Sequence, residues 1–527
     1  MQHFACDVLV LGSGAAGLRA AISAREAGLD VLVLSNAGPG KSTCTGLSGG
    51  AMRGARSSEG PEHLERTVQA GRGINQPDLA EILCEEAPAR LDELMKWGIR
   101  AEVRYGFLFA KGRPPVMGEE IVRCLMSKNR ELGTRFMGNL IATDLVVENG
   151  AAGVAGFTRA QGETTAFSSA AVVLATGGAA ALYFRHDNPG RMLGAGWTLA
   201  IEAGAILQDL EFVQFYPLCL AEPGHAPLVI PPRLADHGLL VNEDGEDILK
   251  KYAIDERPAA ETARDRLSQA LFQEIYRNGR GISLDLRGVT EEKWLSDPFS
   301  ASLRHILADR HGALGRPLRV APAAHHTMGG VRIDGTGATS VPGLFAAGEV
   351  TGGLHGANRL GGNALSETMV FGARAGNAAA DWAKANGAQK RQSVSRRLDE
   401  KLQARQNTPH GEADFLGKLR KIMWEEGGIL RNGTGLSRAL DGVREILASF
   451  SGPGSIKTPA PAQAGAIELR FAAQAACLIL EAAGRRKESR GSHCRQDYPE
   501  QNDPQWRGHL RVRRCAPGGD KWEFVSA

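Results

Sequence analysis

A short apolar run, Cys6 to Leu11, ends in Gly12-Ser13-Gly14-Ala15-Ala16-Gly17. The next stretch, Ala15 to Ala27, reads as a helix with Gly28 in the stop position, and Val31 to Leu34 reads as a second strand. Strand, glycine turn, helix and strand in this order predict a βαβ unit and hence a parallel sheet. Each glycine has a physical task. Gly12 permits the tight turn, Gly14 lets the backbone approach a pyrophosphate, and Gly17 lets the helix sit close to the sheet. The N-terminus of the helix, beginning at Ala15 and Ala16, attracts the negative charge. An acidic residue commonly ends the second strand and holds a ribose. Here the strand ends Leu34-Ser35-Asn36, so Ser35 and Asn36 take that place with weaker hydrogen-bonding groups.

Two later stretches narrow the nucleotide. Val172-Val173-Leu174-Ala175-Thr176-Gly177-Gly178 and Gly343-Leu344-Phe345-Ala346-Ala347-Gly348-Glu349 both read as strands ending in small residues. An enzyme using nicotinamide alone needs neither, whereas one N-terminal GxGxxG with such recurring elements predicts an FAD cradle. Ala175, Thr176 and Gly177 form one wall of it, and Glu349 is placed to accept hydrogen bonds from the ribityl chain.

The remaining composition mostly excludes. The 62 basic and 59 acidic residues nearly cancel, which gives no reason to expect nucleic acid. The eight cysteines form no C-x-x-C pair, which argues against a metal or cluster site within the chain and for a reducing compartment. No apolar run approaches the roughly 18–20 residues that span a bilayer. The expectation is a cytoplasmic protein that meets a membrane, if at all, peripherally through partner subunits and not by direct insertion.

With 527 residues the chain has room for several domains. The glycine-rich strand texture covers 1–210 and returns at 319–385, predicting a discontinuous FAD-binding, Rossmann-like α/β domain. Between them, 211–318 is more charged and proline-containing and reads as an inserted α+β capping domain. Residues 386–485 read as a helical domain, with Leu436, Leu440, Val443, Leu447 and Phe450 on one helical face and an alanine-rich helix over Gln463 to Gly484. The C-terminal segment 486–527 reads as polar and irregular.

Gly353-Leu354-His355-Gly356-Ala357-Asn358-Arg359-Leu360-Gly361-Gly362-Asn363-Ala364-Leu365-Ser366-Glu367 closely resembles a segment of the flavoprotein subunits of succinate dehydrogenase and fumarate reductase and of L-aspartate oxidase. His325-His326-Thr327-Met328-Gly329-Gly330 resembles that family's HYTMGG segment, and Ala263-Arg264-Asp265-Arg266-Leu267-Ser268-Gln269-Ala270 a third. The resemblance covers the chain in order and implies the four-part organisation above. It implies a hydride passing between flavin N5 and a carbon next to a carboxylate-bearing carbon, with a protein acid or base handling the other hydrogen. On that resemblance, Arg359 clamps the substrate carboxylate, His325 donates to it, Thr327 lies at the substrate site and Arg264 transfers the proton. The helix opening near Ala364 and Leu365 aims its positive end at the flavin. The family also commonly hands electrons to a separate iron–sulphur subunit.

Three departures alter the expectation. In Lys41-Ser42-Thr43-Cys44-Thr45-Gly46-Leu47-Ser48-Gly49-Gly50, Thr43 stands where covalent members carry histidine, so FAD held without a covalent bond is expected, against Ser42, Thr43, Gly49 and Gly50. Phe212-Val213-Gln214-Phe215-Tyr216-Pro217 has Tyr216 where the family has a substrate histidine, and Ile230-Pro231 falls where it has threonine and glutamate. One carboxylate clamp is kept and the other lost. A substrate with one carboxylate, its other end against Tyr216, is the leading reading. A self-contained L-aspartate oxidase-like enzyme and an electron-transfer subunit with a vestigial substrate site are the alternatives. Asp236 or Arg233 are the candidates for a proton relay behind Arg264.

Overall fold

The computed structural model describes residues 2–56, 60–148, 151–386, 397–398, 414–450, 460–515 and 519–527. Its central sheet has five parallel strands in the spatial order Leu344–Ala346, Ala171–Leu174, Val8–Leu11, Val31–Leu34 and Arg135–Met137. Every residue of Val8–Leu11, Val31–Leu34 and Ala171–Leu174 is buried. Layers on both faces of a parallel sheet explain why these strands are continuously apolar rather than alternating. Two helices, Ala15–Glu26 and Asn363–Asn386, lie against each other. They approach so closely that a Cβ on Gly372 or Gly376 would stand 2.8 Å from the Ala16 carbonyl oxygen or 2.3 Å from that of Ala20. These small residues let the returning stretch of chain close the domain that the first βαβ unit begins.

The inserted segment has its own four-stranded antiparallel sheet, in the order Val213–Leu220, Leu318–Thr327, Ile282–Asp285, Leu239–Asn242. The helix Arg264–Phe272 packs on Val213–Leu220, and Leu267, Leu271, Leu284, Trp294 and Leu307 belong to a separate buried core. Its last strand crosses the 318/319 boundary drawn from composition. Leu318–Thr327 is one unbroken element that begins in the cap and carries His325 and Thr327 to the junction with the nucleotide domain. The boundary drawn from composition therefore falls inside a strand.

The helices Phe415–Glu425, Gly433–Ala448 and Ala460–Arg485 follow. Leu436 and Val443 are buried, while Leu440, Leu447 and Phe450 pack half-buried on the same core. The expectation of an irregular tail fails. Gly508–Cys515 and Gly519–Ser526 form an antiparallel hairpin that extends a sheet through Leu207–Gln208. Leu510 and Val512 point inward between Arg511, Arg513 and Arg514. Only two apolar positions carry the period of two, so the charged residues concealed it.

The tail is held by a buried ionic cluster. Arg486 pairs with Glu211 and Glu488 and donates to the carbonyls of Trp506 and Gly508. Breaking a buried pair leaves a charge uncompensated, at a cost of about 3–5 kcal/mol. Glu211→Leu is therefore expected to lower unfolding stability by about that amount in denaturant titrations. It should also expose the C-terminal hairpin to limited proteolysis before the rest of the chain.

Candidate active site

The turn after Val8–Leu11 uses its glycines in two different ways. Gly12 has φ +118°, and a Cβ there would lie 2.0 Å from the carbonyl oxygen of Ala175. A Cβ on Gly17 would lie 2.0 Å from the carbonyl oxygen of Gly12. Both absences serve the packing of the chain on itself. At Gly14 a Cβ would meet only Thr45 Oγ1 at 3.6 Å and Thr43 Cβ at 4.0 Å, which is ordinary contact. Gly14 instead faces a cavity, where its bare backbone leaves room for a ligand. Thr45 Oγ1 accepts from the Ala15 amide at 3.1 Å, but the helix Ala15–Glu26 has no N-cap side chain and no acid in its first turn, so no charge compensates its positive end. A bound pyrophosphate fits that requirement.

The cavity has a volume of about 1450 Å³, above the usual 300–1,000 Å³ of a small-molecule site. That is space for a dinucleotide and a second molecule. All the residues expected at the site line it except Gly17, which lies behind the turn, and Thr327. At the ribose end, Ser35 donates its hydroxyl hydrogen to the Ala37 carbonyl at 2.5 Å, so it can only accept from a ligand. Ser13 Oγ accepts from the Gly40 amide at 2.9 Å. Thr43 Oγ1 accepts from the Gly46 amide at 3.0 Å and caps the short helix Cys44–Leu47.

Glu349 follows the strand Leu344–Ala346 and faces the middle of the cavity. Its Oε1 accepts from the Thr327 amide at 3.0 Å and the Thr327 hydroxyl at 3.3 Å. Burial raises its pKa to about 7, against the opposing pull of these bonds. Thr327, expected to touch substrate, instead positions this acid. Behind it, ligand atoms of the buried His326, His355 and Glu367 lie within 4.8 Å of one another, a donor set that could hold a metal ion. His355 Nε2 and Glu367 Oε2 are hydrogen-bonded at 2.9 Å.

At the far end, Gln214 organises the cationic groups. Its Oε1 accepts from Arg264 Nη1 at 2.8 Å and from Arg359 Nη2 at 2.9 Å, and its amide nitrogen donates to Asn358 Oδ1 and the Arg359 carbonyl. Only the oxygen can face two guanidiniums, which fixes the amide orientation. Both arginines are buried, and among the described residues neither makes an ion pair with a carboxylate. The Arg359 Nε is a buried donor with no partner. Burial, and next the adjacent Arg264, lower the pKa of Arg359 to about 9. Two adjacent buried cations sharing one neutral oxygen make a site that seeks an anion.

His325 Nδ1 is 2.6 Å from Asp187 Oδ2, and burial holds its pKa below the ordinary imidazole value. Sequence reasoning assigned no role to Gln214 and did not single out Asp187. Gln214 lies inside a quoted family segment and could have been asked what an interior amide bonds to. Asp187 sits in an irregular stretch with no motif around it. The two departures at the lost clamp are one contact. The Tyr216 hydroxyl donates to the Ile230 carbonyl at 2.7 Å, while its ring lies 5.2 Å from the Arg264 guanidinium carbon and 5.7 Å from the His325 ring. The hydroxyl is committed, so Tyr216 offers the cavity a ring.

The glycines separate folding from binding. Gly12→Ala should fail to fold or lose several-fold in soluble yield, since strain and backbone overlap coincide there. Gly14→Ala should fold with near-native circular dichroism and melting, yet retain far less yellow flavin per protein, read as absorbance at 450 nm over 280 nm.

Comparison with known proteins agrees with this geometry. A family model described as FAD binding domain matches residues 7–365, and one described as fumarate reductase flavoprotein C-term matches 417–521. One subunit of the fumarate reductase (CoM/CoB) of Methanothermobacter marburgensis is 33% identical, over 97% of this chain and 98% of that protein. The L-aspartate oxidase of Streptomyces coelicolor is 33% identical over 97% of this chain and 91% of its own length. An E. coli quinol fumarate reductase flavoprotein chain superposes with a TM-score of 0.88 at 28% identity, covering 100% of this chain and 97% of that one. The chain belongs to the family of FAD-dependent oxidoreductases that includes the flavoprotein subunits of fumarate reductase and succinate dehydrogenase and L-aspartate oxidase.

Proposed function

We propose that this enzyme reduces the double bond of an enoate carrying a single carboxylate, holds FAD non-covalently and receives its electrons from a separate iron–sulphur subunit. The observation that carries the substrate reading is the asymmetry of the site. Arg264 and Arg359 stand without a carboxylate partner, and next to them the Tyr216 ring, 5.2 Å from Arg264, has its hydroxyl committed to the Ile230 carbonyl. A carboxylate against the guanidiniums relieves the repulsion between two buried cations. A second carboxylate against Tyr216 and Ile230 would find the tyrosine hydroxyl already committed to the Ile230 carbonyl. Leu228, Pro232, Phe299 and Leu303 line the same cavity and favour an apolar remainder.

The residues divide the work. Arg359 clamps the carboxylate and withdraws electron density from the double bond. His325 adds a third donor from Nε2, with Asp187 fixing the ring through Nδ1. FAD, which Gly14, the N-terminus of the helix Ala15–Glu26 and Glu349 would hold, would supply hydride chemistry at the carbon β to the carboxylate. Arg264 delivers the proton to the α carbon. Gln214 holds both arginines at fixed separation while keeping their charge unneutralised.

The electron partner is supported by the chain's lack of a C-x-x-C pair and by relatives that are themselves named as subunits. The non-covalent cofactor is supported by Thr43, whose hydroxyl forms no such bond and caps a helix. Acid precipitation should leave the flavin in the supernatant.

The test of the substrate reading is anaerobic reoxidation of the reduced enzyme by crotonate, cinnamate and fumarate. A monocarboxylate is expected to exceed fumarate in kcat/KM by at least about 100-fold, the equivalent of about 2.7 kcal/mol for an unpaired buried charge. Efficient fumarate reduction with inert monocarboxylates would overturn it. The pH dependence follows from His325. With its Nδ1 hydrogen given to Asp187, Nε2 donates only when the ring is protonated, so carboxylate binding takes up a proton. KM should rise as pH rises above the lowered imidazole pKa, and His325→Gln should flatten that rise.

A further inference from the structure

An arginine that gives up a proton in each turnover must recover it, and Arg264 is buried. Three carboxylates exert attraction on it: Glu261, Asp265 and Asp187. Two are otherwise engaged. Asp265 faces Arg72 at 3.2 Å, outside the cavity, and Asp187 is bonded to His325. The relay candidates read from sequence do not serve. Asp236 Oδ1 accepts from the Ala259 amide at 3.0 Å, and Arg233 lies exposed over the ring of Tyr105. Glu261 lines the same cavity as Arg264 and stands three residues before it, in the short helix Ala259–Thr262.

The space between them is defined by a missing side chain. A Cβ on Gly361 would stand 3.6 Å from Glu261 Oε1 and 3.8 Å from Arg264 Nη2. Gly361 lines the cavity, so that point is open. Both polar atoms thus flank the space above Gly361, and a water standing farther out in the cavity, clear of the Gly361 Cα, can bridge them. On its other side Glu261 Oε1 accepts from Arg53 Nη2 at 3.0 Å and lies 4.0 Å from Arg66, whose side chain is 41% exposed. Glu261 itself is 21% exposed. It therefore touches solvent at one end of a gap that ends on the buried arginine.

We infer that Glu261 is the carboxyl group that reprotonates Arg264 through a single water above Gly361. The inference rests on the enoate-reducing reading proposed above. In the forward step an N–H bond of Arg264 breaks as the α C–H bond forms, while the hydride from the reduced cofactor completes the saturated acid. The neutral guanidine then takes a proton from the water, the water takes the carboxyl proton of Glu261, and the carboxylate is reprotonated from solvent at Arg66. Arg53 holds the carboxyl in place throughout. The carboxylate occupies a position on the helix side of the cap, remote in sequence from Ile230-Pro231, where a relay acid was expected and is absent.

The experiment uses the holoenzyme, reduced anaerobically and mixed with whichever of crotonate, cinnamate or fumarate reoxidises the wild type fastest. Glu261→Gln keeps an oxygen for Arg53 but cannot donate and recover a proton. Multiple-turnover reoxidation is expected to slow at least about 100-fold, within the range for losing a general acid. Affinity for the corresponding saturated acid, read from the flavin spectrum, should stay within about twofold, and reoxidation by ferricyanide, which needs no proton from Arg264, should be unchanged. Glu261→Asp should recover to within about tenfold of wild type. A Glu261→Gln enzyme reoxidised by enoate at the wild-type rate overturns the relay. So does slowing of the ferricyanide reaction to the same extent, which marks a structural role. A wild-type flavin inert to all three enoates, but reactive with ferricyanide, overturns the enoate reading and the relay with it.

Discussion

Two buried guanidiniums share one amide oxygen, and most of this molecule is arranged to keep them there. Arg264 belongs to the cap, Arg359 to the nucleotide domain, and Gln214 to the strand that leaves one for the other. Like charges at this distance in a dry interior repel strongly, and a neutral acceptor softens that repulsion without removing it. The contact persists because each arm is fixed elsewhere. Asn358 holds the Gln214 amide, the Ala260 carbonyl holds Arg264 Nε, and Leu318–Thr327 pairs with the strand that carries Gln214. The stored repulsion is released when an anion arrives, so the fold supplies binding energy at the reacting end of the cavity.

The cradle solves a different problem. It must present bare backbone and an uncompensated helix terminus without collapsing, and the parallel sheet makes this possible. Gly12 sits against Ala175 and Gly17 against Gly12, so the turn is wedged between two strands and a helix. Gly372 and Gly376 bring the helix Asn363–Asn386 against Ala15–Glu26, which ties the start of the chain to the segment carrying Arg359. The same close packing thus fixes the cofactor site and one substrate clamp in a single rigid unit.

What could be read in advance follows from how local each signal is. The glycine turn, the buried strands and the Leu436–Phe450 stripe are short-range patterns, and they fall within one or two residues of where they were expected. The FAD cradle and the family were legible because their residues lie in contiguous motifs. The hairpin Gly508–Ser526 was not, since only Leu510 and Val512 mark its buried face and its docking depends on the distant Glu211 and Arg486. Thr327 was expected at the substrate because it shares a family segment with His325. Its hydroxyl direction depends on Glu349, which is 22 residues away. Asp187 and Glu261 have no local signature at all, because their importance lies in distances to His325 and Arg264.

The Tyr216–Ile230 contact shows how two departures from a family pattern can be one structural feature. In sequence the tyrosine and the isoleucine are separate substitutions, 14 residues apart. In space the tyrosine hydroxyl is buried and requires an acceptor, which the Ile230 carbonyl provides at 2.7 Å. An aliphatic side chain at 230 leaves that carbonyl without competition from a side-chain hydroxyl, and the tyrosine ring then fills space that a smaller polar residue would leave to solvent. Reversing one of the two alone would strand a polar group: a buried phenol with a rival donor beside it, or a carbonyl without its partner. The two positions are in direct contact, so substitutions at them are expected not to add independently. The departure from the family pattern is a property of the pair, and it is accommodated directly beside Arg264 and His325, whose segments still match the wider family.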